Sequence, residues 1–456
     1  MLLRVVCALL FLGWTAEQNG DPLLYNGLWR SPLQVFAPLF DSLPLVRQPA
    51  WTLLLVGLVP FCYLQPGAIR RRAWPMDAAI GASLATLAFG VAWGVARGGS
   101  AYRAYYQLNA FLLALLVALL LLATVRTSAD LRLVGRTVLA AALVRATLAL
   151  YFFFAFVRGH EPYPPHMTSH HDSPLFAAGV LIAVAWALVR PRWQTWLAVA
   201  VALVPLLLAM KVNNRRIVWF EVALGLLLLY LLLPQGRLRR TANRWLLVIV
   251  PVLALYAAIG WGRPGALFTP LRAFDSTTGK TRDSSTLGRN EENLNLILTY
   301  IQHPIMGSGW GHPFTSVSSY YAYFGGGFDE MYRFTPHNSL AALAAFSGLV
   351  GLVGILGVVP VAAFLGARAC RRADAPLQRA GAMAAVAILP VFGAHAYGDI
   401  GFQSVTNGLL LGAAIAVAGR VSVSTGAWPG RQALGSRRWP SRPPEAPWGA
   451  EARNEV

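Results

Sequence analysis

The sequence predicts an all-α polytopic membrane protein with about 12 transmembrane helices and one large external loop that contains short helices. Only 12% of the 456 residues are charged and 56% are hydrophobic, whereas a soluble domain carries about 25% charged residues. The apolar residues form runs of about 20 that are separated by short polar joints, which is the pattern of helices that cross a bilayer. Composition therefore excludes an ordinary water-soluble enzyme.

Twelve apolar runs define the predicted helices. They are 2–16, 49–66, 76–97, 109–126, 132–157, 173–190, 193–210, 216–233, 244–261, 337–366, 380–396 and 400–419. The first run is short, with Arg4 near its start and small residues after it. We expect it to be a retained helix, although a cleaved signal peptide has the same pattern.

These runs divide the chain into four parts. They are helices 1–9 in 1–261, the large loop in 262–336, helices 10–12 in 337–420, and a tail in 421–456. The tail is rich in Pro, Arg, Trp and Gly and has no periodic pattern. We expect it to be disordered and cytoplasmic.

The charge of the joints predicts the orientation. A net charge of +19 would suggest nucleic acid as the partner of a soluble protein, but here the basic residues are collected in alternate joints. With the N-terminus inside, the internal joints are 70–72, 126–132, 190–192, 237–244 and 368–379, and all are basic. This is the distribution expected of cytoplasmic loops. The external segments are then 17–48, 98–108, 158–172, 211–215, 262–336 and a turn near Asp399.

Two adjacent arginines break this rule. Arg215 and Arg216 open the eighth run on the outer side, with Trp219 one turn later. Arginines and a tryptophan at headgroup depth anchor many helices. Guanidinium groups also match phosphate oxygens, and a helix start adds its positive dipole end. Anchoring and anion binding are both compatible with the pair.

The large loop contains a predicted amphipathic helix. Apolar residues recur at helical spacing before His303-Pro304, namely Leu294, Ile297, Leu298 and Ile301, which indicates a short helix that lies at the membrane surface and ends there. Arg289 lies in its first turn. It is either paired with Glu291 or Glu292, in exposed pairs worth only about 0.3–0.5 kcal/mol, or available to a ligand.

Glycines and aromatic residues follow this helix. Gly307, Gly309 and Gly311 are not preceded by a strand or followed by Gly-Lys-Ser/Thr, so they do not form a nucleotide P-loop. We interpret them as a flexible turn that lets the loop fold back on the membrane. Aromatic residues then crowd 320–334, and they suit either an interfacial belt or stacking on sugar rings.

His337 ends the loop. Pro336 precedes it, and Asn338 is a good cap for the apolar run that follows. The positive end of that helix favours a neutral imidazole, which accepts a proton near pH 7. A single histidine at this position is more often structural, so its role depends on what surrounds it.

The other polar residues and the cysteines match no metal or nucleotide motif. His160, Glu161, His166, His170, His171 and Asp172 gather in one external segment, but their spacing matches no metal motif, and we predict no metal. No D-x-D pair is present for a metal-bound nucleotide sugar. Arg145 and Glu221 are charges within apolar runs and therefore functional suspects, although they are too far apart in depth to pair. The three cysteines share no motif spacing.

Three patches together resemble the O-antigen ligase and polymerase superfamily of bacterial envelope enzymes. They are Arg289 with the helix that runs to His303-Pro304 and Gly307-Ser-Gly309, then Pro336-His337-Asn338-Ser339-Leu340 leading into Gly348, and the external Arg215-Arg216 pair. The layout is also similar, with about a dozen helices and one large periplasmic loop before the helix that carries the His-Asn pair. The motifs themselves span some 60 residues.

The resemblance implies a GT-C-like glycosyltransferase of the bacterial inner membrane whose active site faces the periplasm. A ligase of this superfamily transfers a glycan from undecaprenyl diphosphate to the lipid A core, without a metal, nucleotide or other cofactor. It would hold the diphosphate with Arg215, Arg216 and Arg289, and His337 would act on the acceptor hydroxyl. The single dominant loop is typical of a ligase.

Two alternatives stay open. An O-antigen polymerase would extend the lipid-linked glycan, usually with two sizeable external loops. A transporter of lipid-linked glycan would need inverted repeats, broken helices at the midplane and ionisable pairs inside the bundle. The sequence shows few intramembrane charges and places most unusual polar residues outside, which favours an enzyme.

Overall fold

The computed structural model describes residues 1–16, 50–64, 73–159, 166–263, 268, 271, 284–317, 333–399 and 401–429. Within these ranges the regular structure is entirely helical, which confirms the all-α class. In the same ranges nine helices are long and apolar enough to cross a membrane, and three shorter apolar helices accompany them. The chain is therefore a multi-pass membrane protein, and the total of 12 spans stays a prediction.

The described α-helices follow the predicted runs closely. They are α1 (Leu2–Thr15), α2 (Ala50–Tyr63), α3 (Trp74–Ala96), α4 (Ala101–Thr124), α5 (Ser128–Phe152), α6 (Asp172–Val189), α7 (Trp193–Asn213), α8 (Ile217–Leu232), α9 (Arg237–Gly260), α10 (Ser284–Gln302), α11 (Ser339–Leu356), α12 (Val358–Arg372), α13 (Pro376–Gly398) and α14 (Val405–Ser424). A π-helical turn, Phe153–Val157, extends α5.

The most buried helices are α4, α6, α13 and α14. Small residues let them approach closely, as is usual between helices in a membrane. A Cβ atom on Gly408 or Gly412 of α14 would lie within 2.4 Å of a backbone carbonyl of α4. The helices α7 and α9, by contrast, keep most of their apolar side chains exposed, as expected of a surface that faces lipid.

Two predicted boundaries were wrong. The segment 98–108 was expected to be an external loop, but α4 begins at Ala101, because the Ser100 hydroxyl accepts a hydrogen bond from the Arg103 N–H and caps the helix. The tail was expected to begin at 421, but α14 continues to Ser424, and Trp428 packs edge-on against Trp74. Residues 430–456 lie outside the described residues.

The long run 337–366 is not one continuous helix. Gly348 has φ 60° and ψ −160° inside α11, and the freed backbone groups bond to the segment 304–309 instead. The N–H groups of Leu349 and Val350 donate to the carbonyls of Pro304 and Ile305, and the carbonyls of Ala345 and Phe346 accept from Ser308 and Gly309. Backbone at this depth needs such partners, because lipid offers none.

The glycine-containing turn after α10 is tightly packed, which contradicts the prediction of a flexible turn. Gly307, Gly309 and Gly311 have φ of +70°, +100° and +89°, a region that only glycine enters without strain. The turn does fold back onto the helices. Its Gly311 carbonyl accepts from Ser100 N–H, and Gly311 N–H donates to the Gln107 side chain at 2.6 Å.

Replacing Gly94 with alanine is expected to loosen this packing. A Cβ atom at Gly94 would lie 1.9 Å from the Trp310 carbonyl oxygen, whereas one at Gly81 of the same helix meets nothing within 4 Å. We expect Gly94→Ala to destabilise by about 1–3 kcal/mol, as overpacking does. The control Gly81→Ala should be neutral or stabilise by up to about 1 kcal/mol. Thermal unfolding of the two purified variants measures the difference, and equal midpoints would contradict the packing.

Candidate functional site

A carboxylate–histidine pair joins the large loop to the start of α11. The Glu292 side chain is 1% exposed, and its Oε2 lies 3.0 Å from His337 Nδ1. Its Oε1 accepts the backbone N–H groups of His337 at 2.5 Å and of Asn338 at 3.4 Å. A buried carboxylate needs such partners to remain ionised. The contact places the donated proton on Nδ1, so Nε2 is the basic nitrogen of the neutral ring.

Asn338 holds this junction in place. Its side-chain oxygen accepts from the Ala341 N–H at 3.0 Å and caps α11, while its amide nitrogen donates to the Asn293 side chain at 2.9 Å. The predicted capping role of Asn338 is thereby confirmed. His337 is fixed between two helices, with its side chain 25% exposed.

The helix α10 turns its polar stripe inward. Glu292, Asn295 and Thr299 are buried, whereas Leu294, Ile297 and Ile301 are more than half exposed. The buried amide and hydroxyl accept the N–H groups of Val317 and Thr315 and so hold the rest of the loop. The predicted helix exists and ends before His303, and its apolar stripe faces outward, in the direction that lipid would occupy.

The charges of Arg215 and Arg289 interact, and both act on His170. Burial lowers the pKa of Arg215 to about 10; the charge of Asp399 raises it, and the charge of Arg289 lowers it. The charges of Arg215, His337 and Arg289 also act on His170 and lower its pKa. Both arginines are half-buried. In the described part of the chain, the buried Arg215 Nε has no hydrogen-bond partner.

A buried segment, 166–171, supports Arg215. The Asn213 side chain at the end of α7 accepts the N–H groups of Met167 and Thr168, and His166 Nδ1 lies 3.1 Å from the Asn213 carbonyl. Four residues of this segment are buried, with exposures of 7% or less: Met167, Thr168, Ser169 and His171. The expected external loop is therefore inserted among the helices at its C-terminal end. His160 and Glu161 lie outside the described residues.

Asp399 connects this segment to the loop side of the site. Its Oδ1 lies 3.7 Å from His170 Nε2, and its backbone carbonyl accepts from the Ser339 hydroxyl at 3.3 Å. Ser339 follows the His337-Asn338 pair directly. These contacts connect the residue after the His337-Asn338 pair with Asp399, and Asp399 with His170. The charge of Arg215 acts on His170 in turn.

Arg145 has a clear structural partner. Its Nη2 lies 2.6 Å from Asp172 Oδ2, its Nε also donates to that carboxylate, and the two side chains are 0% and 1% exposed. Asp172 begins α6 immediately after the segment 166–171. The pair therefore anchors the inserted segment to α5, an account that the sequence did not supply for Arg145.

A second buried pair lies beneath the site. His395 Nδ1 of α13 is 2.9 Å from Glu221 Oε1 of α8, and both side chains are fully buried. This pair and the Arg145 pair are ionisable pairs inside the bundle, and Gly348 breaks an apolar helix. The sequence shows few intramembrane charges, and the structure gives the two that it singles out, Arg145 and Glu221, the partners Asp172 and His395.

The surroundings of Arg216 and Phe334 differ from those of the Glu292–His337 pair. Arg216 is the N-cap residue of α8 and its side chain is exposed. Phe334 is buried, with the Arg103 guanidinium 3.9 Å from its ring centroid, so this aromatic residue packs inside the protein. Tyr320, Tyr321, Tyr323, Phe324, Phe328 and Tyr332 lie outside the described residues.

Sequence reasoning missed Glu292, Asp399 and His395 as members of the site and its support. Glu292 was considered only as a partner of Arg289. The spacing of Glu292, Asn295 and Thr299 follows a helical stripe opposite the apolar one, and this signal could have identified the buried face. No comparable sequence signal connects Asp399 or His395 with residues more than 170 positions away.

Acid is expected to destabilise the protein through the segment 166–171. Burial, together with the charge of Arg215, lowers the pKa of His166 to about 4, and burial lowers the pKa of His170 and His171 well below 6.5. The unfolded chain therefore binds more protons below about pH 6.5, so stability falls as the pH drops from there toward 4. One pKa unit corresponds to about 1.4 kcal/mol.

The measurement is the thermal midpoint of the purified protein between pH 7.5 and 4.5. The wild-type midpoint should fall below pH 6.5, and His166→Asn should flatten that fall. His312→Asn, which changes a histidine outside the segment 166–171, serves as the control. An identical pH dependence in the wild type and His166→Asn would contradict the assignment.

The structure defines the class of this protein. It is a multi-pass membrane protein with a buried carboxylate paired with a histidine. Residues 201–356, which carry Arg215, Arg289, Glu292 and His337, match the family model described as O-antigen ligase. The chain thus contains a domain of the O-antigen ligase family, which confirms the resemblance of its sequence. No curated protein matches the chain.

Proposed function

We propose that this protein is an O-antigen ligase of lipopolysaccharide biosynthesis. It transfers a glycan from undecaprenyl diphosphate to a sugar hydroxyl of the lipid A core, in the bacterial inner membrane and at a site that faces the periplasm. The observation that carries the proposal is the Glu292–His337 pair at 3.0 Å. His337, Arg215 and Arg289 all act electrostatically on one side chain, that of His170. The family match over the residues that form this site supports it.

His337 acts as the general base. A sugar hydroxyl is a weak nucleophile, and a positioned imidazole that removes its proton contributes about 10²–10⁴-fold. Glu292 holds the Nδ1–H and stabilises the imidazolium that forms, so Nε2 takes the proton. The acceptor oxygen bonds to the anomeric carbon as the bond from that carbon to the diphosphate oxygen breaks. Single displacement inverts the anomeric configuration.

The arginines stabilise the leaving group. Undecaprenyl diphosphate departs as an anion, so charge stabilisation matters more than protonation, and guanidinium groups supply it without a metal or another cofactor. The charge of Arg289 lowers the pKa of Arg215, and the negative charge of a bound diphosphate would offset this repulsion. Arg216, at the start of α8, adds a third guanidinium and the positive end of the helix dipole.

Replacing Arg215 or Arg289 with glutamine is expected to weaken donor binding by about 10- to 150-fold, because a hydrogen bond to a charged group contributes about 1.5–3 kcal/mol. Arg215→Lys should recover only part of the loss, since an ammonium group cannot bind bidentately. The control Lys211→Gln removes an exposed charge from the same turn and should have little effect. Binding of undecaprenyl diphosphate to purified Arg215→Gln and Arg289→Gln measures this, and unchanged affinity in both would contradict the assignment.

The alternatives, polymerase and transporter, predict different products. The broken helix at Gly348 is filled by backbone of the segment 304–309, and the Arg145–Asp172 pair anchors the start of α6, so neither feature favours transport. In cells that carry His337→Ala, a ligase defect leaves lipid-linked glycan delivered to the periplasmic face but not joined to the lipid A core. Blocked delivery would support a transporter, and loss of chain extension on the lipid carrier would support a polymerase.

A further inference from the structure

An apolar cleft lies at the opposite end of the bundle from His337. It has a volume of about 710 Å³ and is formed by α5, α6, α7, α13 and α14. Along α13 it begins at Leu377, whereas His395 and Asp399 lie at the other end of that helix. The 18 residues from Leu377 to His395 correspond to about 27 Å, so the cleft plays no part in the proposed transfer reaction.

The mouth of the cleft is basic. Arg132, Arg136, Arg190 and Arg192 line it, and no Asp or Glu occurs among the described residues that do so. Three helices begin at this mouth, α5, α7 and α13, and neither α7 nor α13 has a side-chain cap. The start of α5 is capped by Thr127 and Asp130. The first-turn N–H groups of α7 and α13 and the four guanidinium groups together create a positive field that favours an anion.

The interior of the cleft is apolar and about as deep as one leaflet. Its walls are mostly Ala, Val, Leu and Ile side chains, and on α13 they run from Leu377 to Ile388. That length corresponds to about 16 Å, roughly half of a hydrocarbon core of about 30 Å. Trp186 lines the cleft near the mouth, with the Arg190 guanidinium 5.2 Å from its ring centroid, as is common at headgroup depth.

We propose that this cleft binds an anionic glycerophospholipid, with the headgroup phosphate at the four arginines and an acyl chain between α5 and α13. Basic pockets between membrane helices bind such headgroups, and the charge of the mouth matches a phosphate while the depth of the interior matches an acyl chain. The proposed function places His337 on the periplasmic side, and with that orientation the mouth of the cleft faces the cytoplasmic leaflet. The binding itself does not depend on the glycan reaction.

Native mass spectrometry of the purified full-length protein tests the headgroup site. Phosphatidylglycerol and phosphatidylcholine are titrated in parallel, and we expect retention of phosphatidylglycerol. Arg136→Gln with Arg192→Gln should weaken that retention by about tenfold or more. The matched pair Arg240→Gln with Arg244→Gln removes two exposed arginines from another basic joint and should bind as the wild type does. An equal loss in the two pairs, or equal retention of the two lipids, would overturn the proposal.

A second variant tests the acyl-chain site. Gly135 lines the cleft and a Cβ there meets nothing within 4 Å, as is also true of Gly81 on α3. Gly135→Phe should fill the cleft and reduce phosphatidylglycerol binding, while Gly81→Phe should not. Binding of undecaprenyl phosphate in preference to phosphatidylglycerol would instead make the cleft a donor-tail site and overturn the proposal. Because no glycan is present, these outcomes are independent of whether the chain is a ligase.

Discussion

Replacing His337 with alanine is expected to lower the rate of glycan transfer by about 10²–10⁴-fold, the usual contribution of a positioned general base. Donor binding should change little, because His337 acts on the acceptor hydroxyl and the arginines hold the diphosphate. The measurement is the transfer rate of the purified variant at saturating donor, together with its affinity for undecaprenyl diphosphate. Wild-type transfer by His337→Ala at normal protein levels would remove the histidine from the mechanism.

Glu292→Gln is expected to lower the rate of the same step, the removal of the acceptor proton by His337. The amide cannot stabilise an imidazolium as the carboxylate does, and it permits the other ring tautomer, so the transfer rate should fall about 10²-fold or more. Because the two side chains form one unit, the double variant with His337→Ala should be no slower than His337→Ala alone. Glu291→Gln, at the neighbouring position, is the matched control. Multiplied losses in the double variant would show that Glu292 only supports the fold.

Breaking the Arg145–Asp172 pair is expected to have the largest effect on stability. Arg145→Met would leave the Asp172 carboxylate buried without its guanidinium partner, which costs about 3–5 kcal/mol. Replacing both residues, Arg145→Met with Asp172→Leu, should recover much of that loss, because no uncompensated charge is left. Thermal unfolding of the purified variants provides the comparison.

Arg158→Met is the control for this series, since Arg158 is an exposed arginine just beyond the same helix. It should unfold close to the wild-type temperature. If Arg145→Met were as stable as Arg158→Met, the buried pair would not be what anchors the start of α6. If the double variant were less stable than Arg145→Met, the loss would arise from packing rather than from unpaired charge.

Local sequence signals predicted the elements well because each depends on nearby residues. Apolar runs of sufficient length became helices, Asn338 capped α11, and α10 ended before His303-Pro304. The error at 98–108 has a physical cause. Polar residues such as Gln107 interrupt the apolar pattern, yet Gln107 is buried and bonds to the glycine-containing turn, a partner about 200 positions away.

The site was predicted in part. Adjacent external arginines and a histidine at a helix start are visible as exceptions to the local rules, and in the structure Arg215, Arg289 and His337 all act electrostatically on His170. The Glu292–His337 contact, the Arg145–Asp172 pair and the Glu221–His395 pair join residues that are 27 to 174 positions apart. Such pairings follow from how the helices pack, which no short sequence pattern specifies.

The break at Gly348 shows the same limit. A glycine within an apolar run is common in membrane helices, so it does not by itself predict an interruption. The break forms because the backbone of the segment 304–309 supplies the missing hydrogen-bond partners. Tight packing of Gly307 and Gly348 then positions both α10 and α11, the two elements that carry the Glu292–His337 pair.

Reconstitution tests the central claim most directly. Purified protein in lipid vesicles is supplied with undecaprenyl diphosphate-linked glycan and lipid A core, without ATP or divalent metal, and the products are separated by mass. The proposed function predicts glycan joined to the lipid A core with inverted anomeric configuration, and almost none of it with His337→Ala. Absence of that product from active protein, or growth of the glycan on its lipid carrier, would contradict the account.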